Sequence, residues 1–352
     1  MTDALLRIDV SRIRTNLMTL RAHIAPARVM FVVKDDAYGH GVDAVAAAGV
    51  QAGISWFGSF DVPTGLRVRA VAPTARVFTW DVATDEQITA ALAADLDVGV
   101  GDRHVLERVA AVARGRGIRI HLKIDTGLHR NGVRAEEWPD FVARAKTLQD
   151  AGDVTVVGIW SHIAEASEND DEEARTVYER AVDIARAAGL SPDVLHLAAS
   201  AAGYDRSTFR HDLVRFGAFG YGVRSTDGPD IPGIAPAATL FTRVSAVRGD
   251  EVTIAYGSLD GLPTTLGGHI TVGTPGGPQP LVRVDPATSV VAQWPDAAVG
   301  DTVAIFGPGI LGESSATTLA EAIGTVGEEI LVRVSPLVPR EYIDPEARGA
   351  RR

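Results

Sequence analysis

The chain has 352 residues, 46% hydrophobic and 22% charged, a composition of water-soluble globular proteins, and its length favours two domains over one core. It has no cysteine, which excludes disulfides, thiolate nucleophiles and cysteine-ligated zinc. A net charge of -11 argues against nucleic acid or an anionic membrane as the main partner, and no apolar run reaches the length of a membrane span.

The opening "MTDALLRIDVSR" has neither the basic n-region nor the apolar run of a signal peptide, so a cytoplasmic location is expected. Its "ALLRIDVS" reads as a strand (1–10) that packs with the C-terminal part, and Ser11 is a candidate cap for the helix that follows. Short apolar runs then recur at 29–33, 54–59, 76–80, 96–100, 118–124, 154–161, 193–197 and 213–217. Amphipathic segments that end in glycine, such as "DRHVLERVAAVARGRG" and "EARTVYERAVDIARAAG", lie between them. This alternation predicts an α/β fold with parallel strands, a (β/α)8 barrel over 11–228, with a doubly wound open sheet as the competing architecture. "GPDIPGIA" is the expected boundary. Beyond it, 229–345 is rich in turn signals and short runs ("EVTIAYG", "HITVG", "DTVAIFG", "EILVRVS"), which predicts a mostly antiparallel β domain in which only "TTLAEAIGTV" is helical. A charged tail occupies 346–352.

In a barrel, chemistry gathers at the C-terminal ends of the strands. Lys34 follows the first barrel run, Lys123 and Asp125 end the fifth, Arg130 lies just beyond, and His162 follows the sixth. His196 and Ser200 belong to the seventh run and its loop, and Arg215 to the eighth. The set is cationic and lacks a carboxylate cluster, so it suits an anion better than a metal, and no metal is expected. "RFGAFGYG" and "ASAAG" add small residues whose N–H groups can approach a phosphate. Singly, each residue has an ordinary reading: Lys34 as a solvated loop lysine, His196 as a satisfied core histidine, Arg215 as a partner of Asp212. Their joint placement is the signal.

"VVKDDAYGHG" resembles the cofactor-lysine motif of the alanine racemase family of fold-type III pyridoxal phosphate enzymes. "HLKIDTGLHRNG", "GIWSHIAEA", "LHLAASAA", "VRFGAFGYG" and "RVSPLVPREYID" are similar to the family's later motifs, in the same order. The resemblance implies a barrel bearing pyridoxal 5'-phosphate, a β domain, a small amino-acid substrate with alanine foremost, and a homodimer with shared active sites. It implies that Lys34 holds the cofactor covalently. Tyr38, Ser200 and the backbone of Gly217 and Ala218 bind its phosphate, and His162 and His196 lie around its ring. Arg215 bonds the pyridine nitrogen, and Lys123 and Arg130 act in support or on the substrate. It implies two bases, Lys34 and a partner-supplied Tyr256. An unperturbed tyrosine titrates near 10, so Tyr256 needs positive charge nearby, from His162 or Arg215. The chain departs from the family's pattern at Ala199, at Val284 (where Asp285 keeps the family's acid) and at Glu328, which bears on the substrate-entry wall and carboxylate recognition. A racemase for another amino acid and a non-catalytic cofactor-binding homologue are the alternatives. Asp35, by strand alternation, is expected to point away from Lys34.

Overall fold

The computed structural model describes residues 3–165 and 167–346. They form two compact units: one comprises 20–34 and 53–217, and the other the described residues of 1–19, 35–52 and 218–352. The sequence-drawn domain boundary at 228 lies ten residues or so beyond this division, and 35–52 belong to the second unit by compactness.

Strand β1 (Leu5–Asp9) leads into the helix Val10–Ile24. Ser11 is not the cap. The Asp9 carboxylate accepts the N–H groups of Ser11 and Arg12 at 2.9 and 3.1 Å, because the helix begins two residues earlier than its sequence suggests.

The barrel unit carries β2 (Arg28–Val32), β3 (Trp56–Asp61), β4 (Arg76–Asp81), β5 (Asp97–Val100), β6 (Ile118–Lys123), β7 (Val154–Trp160), β8 (Val194–His196) and β9 (Leu213–Phe216). Each of the eight expected strands is present to within two residues. They pair in parallel in the order β8-β7-β6-β5-β4-β3-β2-β9. Single backbone bonds span the seam between the end strands, Asp212 N–H to Leu195 O at 3.1 Å and Arg215 N–H to Ala198 O at 3.2 Å. Strands covered on both faces read as nearly continuous apolar runs, which is why they are visible in sequence. The intervening helices start on side-chain caps, Asp61 to Thr64 N–H and Asp102 to Val105 N–H, each at 2.8 Å. Helix Arg103–Ala113 buries Leu106, Val109, Ala110 and Ala113, the spacing of a single helical face.

Met30, Trp56, Phe78, Trp160, Val194 and Leu213 form one buried cluster in this unit. Two fully buried histidines, His121 and His196, pack against it through Phe78. Gly158 on β7 makes the space: a Cβ there would overlap the His121 ring. Gly158→Ala is therefore expected to destabilise the protein by about 1–3 kcal/mol, read as a lower urea midpoint.

In the second unit, β10 (Ala238–Arg248), β11 (Glu251–Ile254), β12 (Thr271–Thr274), β13 (Gly277–Val284), β14 (Ser289–Ala292) and β15 (Thr302–Phe306) close a six-stranded antiparallel ring. β1 joins β10 antiparallel, and β16 (Arg340–Ile343) joins β1 in parallel. One expected strand is a helix: "EILVRVS" lies mostly in Gly327–Arg333. There Glu329 pairs with Arg333 at 2.7 Å one turn away, and Ile330 and Leu331 are buried. The helical period therefore overrides a β-like composition. Of the tail 346–352, only Glu346 lies inside the described residues. Among the described residues no helix is long and apolar enough to cross a membrane.

Candidate active site

The barrel strands end where the sequence places its polar residues. Lys34 stands two residues past β2, Lys123 and His196 are the last residues of β6 and β8, His162 lies two residues past β7, and Arg215 is within β9.

Arg215 is 5% exposed and its guanidinium is pinned from several sides. Nη1 donates to His196 Nδ1 at 3.1 Å and to His196 O at 3.0 Å. Nη2 donates to Ser161 O at 2.8 Å, Leu197 O at 2.7 Å and His162 Nδ1 at 3.1 Å. Asp212 is not its partner; that carboxylate accepts Leu195 N–H at 2.9 Å. Burial lowers the guanidinium to about 10, so Arg215 stays cationic near neutral pH. Its Nε–H finds no acceptor among the described residues.

His162 is held neutral. Burial first, then the charges of Arg215, Arg130, Lys123 and Lys34, lower it to about 3. A ring that feels four cations shows that they converge on one rim. Because Arg215 donates to its Nδ1, its remaining proton is on Nε2.

Lys123 is 6% exposed, and its Nζ lies 4.5 Å from the Trp160 ring centroid. Burial, then Arg130 and Arg215, pull its amine down to about 8, with Asp125 opposing. The unfolded chain, with an ordinary lysine at 10.5, binds more protons between these values, so this group makes stability rise with pH from about 8 to about 10.5. Lys123→Met is expected to abolish that rise, checked by urea midpoints at about pH 7 and about pH 10.

Arg130 is exposed, in the loop that the bridge between Ile124 and Val133 closes. Asp125 shapes that loop by accepting the N–H groups of Gly127 and His129, both at 3.1 Å. At β9's end, Gly217 N–H donates to Ser200 Oγ at 3.3 Å, which places an amide and a hydroxyl side by side at the start of helix Ser200–Asp205. Ala199 is the uncapped residue before that helix. Among the described residues no group of three or more histidine or acidic side chains is placed to hold a metal ion.

The family models for the alanine racemase N-terminal and C-terminal domains match residues 8–225 and 244–342. The alanine racemase of Thermobifida fusca is 35% identical over 362 residues, covering 96% of this chain and 97% of that one. The alanine racemase of Frankia casuarinae is 36% identical over 367 residues, 96% of this chain and 95% of its own. The crystal structure of alanine racemase from Streptomyces lavendulae superposes with a TM-score of 0.92 at 31% identity, covering 97% of each chain. The chain belongs to the alanine racemase family.

Lys34 precedes a left-handed turn. Asp35, Asp36, Ala37 and Tyr38 all have φ between 51° and 57°. Four such residues without a glycine cost roughly 1–2 kcal/mol each. Gly39 N–H to Asp35 O at 2.9 Å and Gly41 N–H to Asp36 O at 2.8 Å hold the turn. The alternation expected of Asp35 does not apply, because β2 has already ended at Val32.

Tyr38 and Ala218 lie in the second unit. Tyr38 is buried, and its hydroxyl is pushed well above the ordinary tyrosine range by burial and by the charges of Glu328 and Asp35. Glu328 thus acts on Tyr38 from the first turn of its helix, where an acid complements the helix dipole. Ala218 opens the short turn Ala218–Tyr221. Val284 ends β13, 8% exposed, and Asp285 takes Arg283 Nε at 3.0 Å.

Tyr256 lies in the second unit. It is 1% exposed, its hydroxyl donates to Asp260 O at 2.8 Å, and burial and Asp260 push it above the ordinary range. His162, being neutral, does not supply the expected activating charge.

The sequence reading assigned no role to Trp160, His121 or Asp97. Trp160 stacks on His196, with centroids 5.7 Å apart and planes at 7°. His121 shares the parity of Lys123 along β6, and that alternation was the available signal.

Proposed function

We infer that this chain interconverts L- and D-alanine with pyridoxal 5'-phosphate. The supporting observation is a rim on which Lys34, Lys123, Arg130 and Arg215 all act on a neutral His162, in a chain of the alanine racemase family. The donor set fits that cofactor. Arg215 keeps one unused N–H while its others are fixed, and Ser200 and Gly217 form a small anion cradle. Pyridoxal phosphate, when bound, supplies the electron sink that makes an α-proton removable.

The chain's own residues do the rest. Lys34 holds the cofactor and carries the α-proton on one face. Arg215 has donors only, so it offers the ring nitrogen a hydrogen bond and takes no proton from it. Ser200 Oγ and the Gly217 amide receive the phosphate. His196 and His162 hold Arg215 still, and Lys123 and Arg130 offer positive charge to the substrate carboxylate. The enzyme acts inside the cell as a homodimer. Leu259 and Leu337, 78% and 84% exposed on the β unit, are the apolar surface that supports this association.

The Tyr256 hydroxyl is tethered within one chain, and Tyr256 is the residue proposed to carry the α-proton on the face opposite Lys34. Its hydroxyl holds the turn Ser258–Asp260, which presents Leu259. Tyr256→Phe is accordingly expected to lower kcat by about a hundredfold or more. Racemisation within about tenfold of the wild type would leave Tyr256 as a tether alone. Loss of α-deuterium from labelled alanine, followed by mass spectrometry beside the optical assay, separates proton exchange at Lys34 from full inversion.

A further inference from the structure

A line of buried polar groups runs from Arg215 through the interior of the barrel unit. His196 Nε2 lies 2.9 Å from His121 Nδ1, and His121 Nε2 lies 3.2 Å from Asp97 Oδ2. All three side chains are 0% exposed. Asp97 is the first residue of β5, and Arg76 Nε and Arg119 Nε donate to its carboxylate at 3.1 and 2.6 Å. Burial alone would raise this carboxyl. The His121 hydrogen bond and the Arg76 ion pair outweigh burial and hold it at about 2, so it is ionised.

The ends of the line fix its middle. Arginine cannot accept a hydrogen bond and a carboxylate cannot donate one. Arg215 therefore donates to His196 Nδ1, which leaves the His196 proton on Nε2. That proton points to His121 Nδ1, which leaves the His121 proton on Nε2, directed at Asp97. Every bond runs the same way, and both rings are neutral. Phe78 and Trp160 enclose the pair, with ring centroids 4.6 Å from His121 and 5.7 Å from His196. Water is thereby kept from replacing a lost partner.

We propose that His121 and Asp97 are positioning residues which, through His196, hold Arg215 as a fixed donor toward the cofactor. The proposal rests on the functional reading above in one respect only, that a cofactor occupies the Arg215 side of the line. Without an acceptor at 121, the His196 N–H is left buried and unpaired. Moving that proton to Nδ1 restores no bond, because it then opposes the Arg215 N–H.

Two substitutions separate direction from packing. His121→Gln loses the ring but keeps an acceptor for His196 and a donor for Asp97. His121→Phe keeps the ring and loses both. Circular dichroism and thermal midpoints first show that each variant folds, and pyridoxal phosphate is then titrated into the cofactor-free proteins. The expected order is a Kd within about threefold of wild type for His121→Gln and raised about tenfold to a hundredfold for His121→Phe. A role in aromatic packing alone reverses this order, and any result in which Gln is not the better substitute overturns the proposal. A second measurement needs neither variant nor cofactor. Nitrogen-15 shifts of histidine-labelled, cofactor-free protein should show both His121 and His196 neutral with the proton on Nε2. An Nδ1 proton or a charged ring at either residue overturns it. Failure of the wild type to bind pyridoxal phosphate would count against the functional reading, while the nitrogen-15 result still decides the line itself.

Discussion

Replacing Lys34 by alanine is expected to lower racemisation by about a thousandfold or more and to leave bound pyridoxal phosphate removable by gel filtration. Lysine serves twice in the account, as the covalent hold on the cofactor and as the base on one face of the substrate. No neighbour replaces it. His162 is held neutral with its Nδ1 already accepting from Arg215, and Lys123 sits against the Trp160 ring. The fold should survive, because the alanine side chain introduces no buried polar group and the turn from Asp35 to Tyr38 is held by its own backbone bonds. A Lys34→Ala protein with unchanged thermal midpoint and full activity would remove this residue from the chemistry.

Arg215→Met is the substitution with the largest expected effect on stability, a loss of about 3–5 kcal/mol by urea denaturation. The methionine fills much of the volume, but it leaves the ring nitrogens of His196 and His162 and the carbonyls of Ser161, His196 and Leu197 without their donor. Arg215→Lys keeps the charge and can satisfy only part of this set, so an intermediate loss is expected. If Arg215→Met unfolded at the wild-type midpoint, the network would be of little energetic consequence, and the case for a fixed donor would weaken with it.

What the sequence made legible follows from the physics of each element. The eight barrel strands could be located to within two residues because strands buried on both faces leave apolar runs that few other structures produce. Lys34, Lys123, His162, His196 and Arg215 could be grouped because a parallel barrel sends every strand end to the same rim. The turn after Lys34 was illegible. Four consecutive non-glycine residues in the left-handed region run against every local preference, and only the surrounding structure holds them there. Helix Gly327–Arg333 was misread because Ile330, Leu331 and Val332 form a β-like run, whereas the Glu329–Arg333 pair works only at helical spacing. Nothing local reveals that Asp97 faces His121, which is 24 residues away in sequence. The motif around Tyr256 carries no sign of whether its hydroxyl is turned inward to Asp260 O or outward.

The most direct test of the account is optical. The purified chain, reconstituted with pyridoxal phosphate, is given L-alanine alone, and both enantiomers are followed by chiral chromatography. The account predicts decay of L-alanine to an equal mixture with D-alanine, the same end point from D-alanine, and no change with Lys34→Ala. A reconstituted wild-type protein that binds the cofactor and leaves L-alanine optically pure would contradict it.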